Sequence, residues 1–138
     1  MWKSSFTLDT HVWISIFHQN RNEKLVDAII EKNIVLISTL EQEKELLDAI
    51  YKHEEVREML PKPPEVYASM LNYSTEFFPS TKRFVLLSDH KDNYLVDLAW
   101  QSQSTLVSDD SAFKFLKRLS RPRVKLISKK EFYKIIGW

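Results

Sequence analysis

The clearest indication of how this chain folds is the run Ile34-Val35-Leu36-Ile37, with Ser38 directly after it. A continuous apolar run of this length is typical of a strand that other elements cover on both faces, as in a parallel sheet. Phe84-Val85-Leu86-Leu87 and Thr105-Leu106-Val107 have the same character. Together these runs predict the buried interior of one sheet.

Strands and helices alternate along the rest of the chain. Two flanking strands are predicted at Ser5-Phe6-Thr7-Leu8 and Val124-Lys125-Leu126-Ile127. Between the strands, apolar residues recur at helical spacing, and the predicted helices include one that carries Phe77 and Phe78 and another over residues 113–119. The alternation predicts an α/β fold, namely a three-layer α/β/α sandwich with a mostly parallel central sheet.

The length of the chain indicates one domain. It has 138 residues, a common size for a single domain, and its only linker-like stretch is Pro61-Lys62-Pro63-Pro64. Because this stretch is too short to separate two domains, we expect a single domain over residues 1–138.

Glycine and cysteine are almost absent. The single glycine is Gly137, and there is no cysteine. A glycine-rich loop that brings backbone amides close to a phosphate is therefore excluded, as are disulfides, thiolate zinc sites and cysteine nucleophiles. Chemistry on phosphates would have to use side chains or metal ions.

The lack of cysteine and the hydrophobic pattern fit a cytoplasmic protein. The formal net charge of +1 indicates no particular partner, and too few apolar residues precede Asp9 for a signal peptide. No apolar run approaches the ~18 residues that a membrane span needs. We therefore expect an intracellular protein that makes no membrane contact.

Basic residues concentrate near the C-terminus, where only Glu131 opposes them over residues 114–134. They are Lys114, Lys117, Arg118, Arg121, Arg123, Lys125, Lys129, Lys130 and Lys134. Such a segment is a candidate phosphate-contacting surface. The alternative is a solvated helix face next to a strand edge that lysines protect.

Acidic residues follow four successive predicted strands. They are Asp9 after the first strand, Glu41, Glu43 and Glu45 on the helix after the second, Asp89 and Asp92 after the third, and Asp109 and Asp110 after the fourth. The carboxyl ends of parallel strands meet at one edge of a sheet, and carboxylates so close together call for a cation between them. Oxygen ligands without His or Cys suit Mg²⁺ or Mn²⁺, which assist phosphodiester hydrolysis. The alternative is that these acids only cap the following helices.

Four short motifs at these places resemble the PIN-domain family, which includes the VapC-like toxins and related stand-alone nucleases. Leu8-Asp9-Thr10-His11-Val12 resembles the family's opening D-T-N or D-T-H. Ile37-Ser38-Thr39, leading to Glu45-Leu46-Leu47, resembles its serine followed by a helical glutamate. Asp89-His90-Lys91-Asp92-Asn93 is similar to D-P-K-D-N, and Leu106-Val107-Ser108-Asp109-Asp110 is similar to L-V-T-G-D. The order and spacing of the motifs agree with the family over nearly the whole chain.

The resemblance implies a PIN-like sheet and a set of functional residues. The catalytic acids that bind Mg²⁺ or Mn²⁺ would be Asp9, Glu45, Asp92 and Asp110, and the side chains that support them would be Thr10, Asn93, Ser108 and Asp109. RNA would be contacted by Lys91, Lys114, Lys117 and Arg118. The implied activity is endoribonuclease cleavage of single-stranded or structured RNA that leaves 5′-phosphate and 3′-hydroxyl ends. An antitoxin partner, as in a toxin–antitoxin pair, and a homodimer are implied as well.

Departures from the family pattern leave some assignments open. His11 stands where asparagine is commoner, Asp109 stands where glycine is usual, and Glu45 lies one residue further along than the family spacing. Because Glu41 and Glu45 share a helix face, periodicity does not decide which of Glu41, Glu43 and Glu45 is the helical ligand.

Other classes of protein with strand-end acids fit the sequence less well. A receiver-like domain needs an acid pair after the first strand, where this chain has only Asp9. A haloacid-dehalogenase-like phosphatase needs D-x-D, whereas position 11 is His. The remaining alternative is a PIN-like RNA- or protein-binding module with weak or no nuclease activity.

Overall fold

A computed structural model describes residues 4–79, 90–119 and 123–138, without the side chains of residues 90–92. The strands in these ranges are β1 (Ser4–Leu8), β2 (Ile34–Ser38), β3 (Glu76–Phe77), β4 (Thr105–Val107) and β5 (Leu126–Ile127). The helices are α1 (Thr10–His18), α2 (Asn22–Lys32), α3 (Leu40–Lys52), α4 (Glu54–Met59), α5 (Pro64–Ser74), α6 (His90–Ser102), α7 (Lys129–Ile135) and a 3₁₀ helix (Ser111–Arg118). None of these helices combines the length and the apolar character needed to cross a membrane.

The described strands form one parallel sheet in the order β3-β2-β1-β4-β5. The order reverses at β1, because β2 and β3 lie on one side of it and β4 and β5 on the other. Leu8 at the end of β1 pairs with Val107 at the end of β4. The residues that follow them, Asp9 and Ser108, are therefore neighbours at the topological switch point, where open α/β sheets bind their ligands.

Helices cover both faces of the sheet, so the predicted three-layer α/β/α sandwich is confirmed. Phe6 and Leu8 of β1 lie in one core, which α1, α2, α3, α5 and α7 also enter. Leu106 of β4 lies in a second core with Leu95 of α6 and Phe113 of the 3₁₀ helix. Successive side chains of a strand point to opposite faces, and strands covered on both faces are therefore apolar throughout.

The segment after the proline cluster differs from the prediction. The helix α5 ends before Thr75, and Phe77 lies in β3 with Phe78 directly after it, so neither residue is helical. Thr75 has an extended backbone, and its hydroxyl donates to the Leu71 carbonyl (2.8 Å). β3 has only two residues, too few for an alternating pattern to show. The strand predicted at Phe84-Val85-Leu86-Leu87 lies outside the described residues.

The helix predicted over residues 113–119 is the 3₁₀ helix Ser111–Arg118. Its two buried side chains, Phe113 and Leu116, are three positions apart, and a 3₁₀ helix has three residues per turn. The helix starts directly after Asp110, so its exposed face adjoins the acidic end of β4.

Candidate active site

Asp9 is the buried acid at the switch point, with only 5% of its surface exposed. Its Oδ2 accepts a hydrogen bond from the Ser108 hydroxyl (2.7 Å). Its Oδ1 accepts one from the His11 backbone N–H (3.3 Å), so the same carboxylate caps α1. Both of these donors are neutral, and no lysine or arginine whose side chain the structure describes forms an ion pair with Asp9. A buried carboxylate with only neutral partners favours the binding of a cation.

Ser108 connects Asp9 with Asp110. Its Oγ donates to Asp9 and accepts a hydrogen bond from the Asp110 backbone N–H (3.0 Å). Asp110 Oδ1 in turn accepts from the Ala112 backbone N–H (2.9 Å) and caps the 3₁₀ helix. Asp9, Ser108 and Asp110 therefore form one hydrogen-bonded chain across the ends of β1 and β4.

Asp109 accepts a hydrogen bond from a helix that starts 20 residues later. It is the acid at the position where the PIN-domain family usually has glycine. Its Oδ1 accepts a hydrogen bond from the backbone N–H of Lys129 (3.0 Å), the first residue of α7. Ser128 and Glu131 cap the same helix by a reciprocal pair of hydrogen bonds. Asp109 thus fixes the end of β4 to α7.

The helix α3 presents an amide to the end of β1. Gln42 is fully buried, and its Nε2 donates to the Leu8 carbonyl (2.6 Å) while its Oε1 accepts from the Ser38 hydroxyl (2.8 Å). Glu43 has a different neighbour, the Asn72 side chain of α5, at 3.5 Å. Gln42 therefore fixes how α3 is rotated about its axis, and so which helical acid approaches the strand ends.

Glu45 lies one turn after Gln42 on the same face of α3. Tyr94 of α6 is 3% exposed, and its hydroxyl lies 3.3 Å from the Thr10 hydroxyl. Burial, then the charge of Glu45 and more weakly that of Asp9, raises the pKa of Tyr94 well above its ordinary value of 10.0.

The other predicted residues of the D-P-K-D-N-like motif are on α6. Asp92 and Lys91 belong to the first turn of this helix, and their side chains lie outside the described residues. Asn93, which follows them, is buried. The structure thus places the backbone of the fourth acid on an element that also contributes Tyr94 to the site.

Two of the described acids, Asp9 and Asp110, are linked at the switch point through Ser108. The charges of Glu45 and Asp9 both raise the pKa of Tyr94. Among the side chains that the structure describes, no three acidic or histidine groups are grouped closely enough to hold a metal ion. The donors themselves are carboxylate oxygens, which are the ligands that Mg²⁺ and Mn²⁺ prefer, so the donor chemistry fits either ion.

A cavity of about 290 Å³ opens at these acids. It is lined by Asp9, His11, Val12, Ser15, Asp109, Asp110 and Lys129. The ammonium of Lys129 lies 3.4 Å from the Ser15 hydroxyl. Lys129 therefore adds a positive charge to a wall that also contains the carboxylates of Asp9, Asp109 and Asp110. A phosphate in the cavity would meet this ammonium on one side and the acids on the other.

A larger cavity, of about 690 Å³, lies by the start of β4, at the other end of that strand. Its described walls include the half-exposed Trp100 and the cations Arg123 and Lys125, but none of the predicted acids. Since the predicted chemistry depends on carboxylates, we take the smaller cavity as the candidate active site.

Exposed basic residues flank the acidic edge. Three basic residues of the 3₁₀ helix were predicted to contact RNA, and all three are exposed. They are Lys114, Lys117 and Arg118. Hydrogen bonds with Ser128 lower the pKa of Glu131, and the charges of Lys117 and Lys125 lower it further, so these two lysines lie near the start of α7. The basic surface therefore begins beside Asp110 and continues towards α7.

No protein-family model and no curated protein matches this sequence. Among solved structures, it is similar to a chain in the crystal structure of VapBC2 from Rickettsia felis bound to a DNA fragment from their promoter. The similarity covers 90% of this chain and 98% of that chain, with a TM-score of 0.61. The fold is PIN-like. At 13% identity the likeness is one of fold, and it agrees with the fold that the motifs predicted.

The sequence patterns did not identify two residues of this candidate site. Gln42 lies among acidic residues of α3, and the sequence feature that could have identified it is its position four residues after Ser38, with which it forms a hydrogen bond. Tyr94 directly follows Asp92 and Asn93, so its closeness to that motif in the sequence could have identified it. A third residue, Lys129, was predicted only as one member of the basic segment.

Proposed function

We propose that this protein is a Mg²⁺- or Mn²⁺-dependent endoribonuclease that hydrolyses phosphodiester bonds of single-stranded RNA. The observation that carries the proposal is the hydrogen-bonded chain of Asp9, Ser108 and Asp110 at the switch point of a parallel sheet. This chain opens on a cavity with a cationic side chain in its wall. The PIN-like fold adds support, and the activity would belong to a single domain over residues 1–138.

The metal ion would be held by Asp9, Glu45, Asp92 and Asp110. Asp9 suits this role because it is buried and both of its hydrogen-bond donors are neutral. When bound, the ion would stabilise negative charge on the phosphate and favour deprotonation of an attacking water. Glu45 would complete the set of acids or orient that water.

The other side chains would position the RNA. Lys129 in the cavity wall is placed to meet a phosphate oxygen next to the acids. The exposed basic residues, Lys114, Lys117 and Arg118, together with Lys91, would follow the RNA backbone. Ser108 and the His11 N–H would keep the Asp9 carboxylate in one orientation by holding both of its oxygens. Contacts of this kind to phosphates contribute affinity without sequence preference.

The chain would act as the toxin of a toxin–antitoxin pair, with a small antitoxin protein as partner. This part of the proposal is supported by the structural similarity to a chain of VapBC2, which was solved with DNA from their promoter. Induced expression of the wild type should arrest growth of a bacterial host, and expression of Asp9→Asn should not. Normal growth with an active wild-type nuclease would exclude the toxin role while leaving the nuclease in place.

The nuclease itself is tested by RNA cleavage with purified proteins. The wild type should cleave single-stranded RNA with Mg²⁺ or Mn²⁺ and lose this activity in EDTA, and Asp9→Asn should be slower by more than about 100-fold. Asp48→Asn is the matched control, because Asp48 is an exposed acid of α3 whose partner is Lys52. Equal cleavage by the wild type and Asp9→Asn would contradict the proposal. RNA binding without cleavage would favour the alternative of a binding module.

A further inference from the structure

The cavity of about 690 Å³ lies where α6 turns into β4, whereas the acids lie at the other end of β4. Its volume falls within the range of about 300–1,000 Å³ that is usual for ligand sites. Trp100 of α6 lines it with 39% of its surface exposed, and the exposed cations Arg123 and Lys125 line it as well. The cavity therefore combines an aromatic surface with two positive charges, and the proposed hydrolysis gives none of these three side chains a task.

The turn between α6 and β4 holds the backbone of this cavity wall in place. The Trp100 carbonyl accepts a hydrogen bond from the Gln103 N–H (3.2 Å). Ser104, which also lines the cavity, is 6% exposed, and its hydroxyl is hydrogen-bonded to those of Thr7 (2.6 Å) and Ser102 (2.9 Å). Because the wall is ordered without a ligand, less conformational freedom is lost when a ligand binds.

The strand β5 connects this cavity to the candidate active site. β5 is parallel to β4, and the Lys125 carbonyl just before it accepts the Leu106 N–H (2.9 Å). Lys125 lines the larger cavity, and Lys129, just after β5, lines the smaller one. Their α-carbons are at most about 14 Å apart, because an extended chain advances no more than about 3.6 Å per residue. About four phosphates at their helical spacing of about 3.4 Å cover this distance, so one strand of RNA can reach both cavities.

The chemistry of the cavity indicates which ligand it takes. Aromatic side chains stack on the bases of single-stranded nucleic acids, while arginine and lysine contact the phosphates. An acidic peptide would satisfy the two cations, but it would bring no flat ring to Trp100. Lysines that only protect a strand edge need neither a cavity nor a tryptophan beside them. The combination of Trp100 with Arg123 and Lys125 therefore favours a nucleotide of a single strand.

We propose that this cavity is a second RNA subsite, in which a base stacks on Trp100 and the adjoining phosphates meet Arg123 and Lys125. The inference rests on the proposed function, because the RNA held here is the strand whose cleaved bond lies at the acids. The subsite adds affinity and favours single strands over duplexes, since the bases of a duplex are already stacked on one another.

Binding of a labelled single-stranded oligoadenylate of about 12 nucleotides tests the inference, measured by fluorescence anisotropy in EDTA. Trp100→Ala should raise the dissociation constant by about 5–150-fold, the usual effect of losing one base stack, and should leave the salt dependence unchanged because no charge is lost. Arg123→Gln/Lys125→Gln should instead reduce the slope of the logarithm of the binding constant against that of the salt concentration. The expected reduction is about 1.4, since each phosphate contact to a single strand contributes about 0.7.

Two matched variants control for changes elsewhere on the surface. Tyr73→Ala removes an exposed aromatic side chain of α5, and Lys24→Gln/Lys32→Gln removes two exposed lysines of α2. None of these residues lines the described part of the cavity, so both variants should bind the oligoadenylate like the wild type. Equal dissociation constants for Trp100→Ala and Tyr73→Ala would overturn the inference, as would equal salt slopes for the two double variants.

Cleavage of the same RNA with Mn²⁺ separates the inference from the proposed function. The expected binding pattern without cleavage by the wild type would overturn the nuclease and support the subsite. Cleavage by the wild type, with Trp100→Ala binding like Tyr73→Ala, would overturn the subsite alone. An oligoglutamate peptide of the same charge that binds as tightly as the oligoadenylate would overturn it in favour of an acidic protein segment. If Trp100→Ala does not fold, Arg123→Gln/Lys125→Gln decides at exposed positions, and an unchanged salt slope is the contrary result.

Discussion

Replacing Ser108 with alanine should weaken the fold and the site together. Ser108 is buried, and its oxygen donates to Asp9 Oδ2 (2.7 Å) and accepts from the Asp110 N–H (3.0 Å). Alanine keeps the backbone of the strand end and removes both bonds. The Asp9 carboxylate then keeps only the longer bond from the His11 N–H (3.3 Å) among its described donors.

The magnitude follows from the two bonds. A hydrogen bond to a charged group contributes about 1.5–3 kcal/mol and a neutral one about 0.5–1.5 kcal/mol, so the free energy of unfolding should fall by roughly 2–4 kcal/mol. In a chain of this size, each kcal/mol corresponds to a change of about 3–4 °C in Tm. The Tm of Ser108→Ala should therefore be lower by roughly 6–16 °C.

Thermal and urea unfolding followed by circular dichroism measure this change. Ser111→Ala is the control, because Ser111 is exposed at the start of the 3₁₀ helix and its replacement should stay within about 0.5 kcal/mol of the wild type. RNA cleavage by Ser108→Ala should be slower by about 10–100-fold under conditions where it is folded. A Tm equal to that of Ser111→Ala would refute the reasoning that Ser108 joins the two strand ends.

Three further changes test separate parts of the structure. Hydrogen bonds lower the pKa of Glu131 from 4.5, so its stabilising effect is present above that value and is lost as the pH falls through the lowered pKa. Glu131→Gln should therefore reduce the urea midpoint at about pH 6 more than at about pH 3, and an equal difference at both would contradict this. Gln42→Leu leaves the Ser38 hydroxyl and the Leu8 carbonyl without their partner, so it should lower the free energy of unfolding in urea by about 2–4 kcal/mol. A loss under about 1 kcal/mol would show that the amide is dispensable. Lys129→Gln should weaken RNA binding and reduce the slope of the logarithm of the binding constant against that of the salt concentration by about one, which a salt titration measures. Equal effects of Lys130→Gln, at an exposed lysine, would argue against a special role for Lys129.

The position of the candidate site could be predicted from the sequence because apolar runs reveal where strands end. The run at 34–37 and the one at 105–107 indicated a parallel sheet, and a parallel sheet collects the residues after its strands at one edge. The pairing of Leu8 with Val107 then puts Asp9 beside Ser108. That part of the site depends on continuous apolar runs and on the common edge of parallel strands, which the sequence indicates, whereas the strand order comes from the structure.

The contacts between elements could not be predicted in the same way. Helical periodicity gives Glu41 and Glu45 the same face, and only the bonds of Gln42 show how α3 is rotated. Tyr94 meets Thr10 across 84 positions, and Asp109 meets the start of α7 across 20, so no local pattern contains either pair. These bonds follow from how helices pack on the sheet.

The chemical ends of the RNA fragments test most directly whether the acids at the strand ends form a metal-dependent phosphodiesterase site. In such a site a water would attack the phosphorus, and a metal ion held by these acids would supply stabilisation of the charge on the departing 3′-oxygen. Wild-type protein with Mn²⁺ and labelled single-stranded RNA should therefore yield 5′-phosphate and 3′-hydroxyl ends, and no product in EDTA. Fragments that end in a 2′,3′-cyclic phosphate and form equally well in EDTA would contradict the claim, because the 2′-hydroxyl of the RNA would then be the nucleophile.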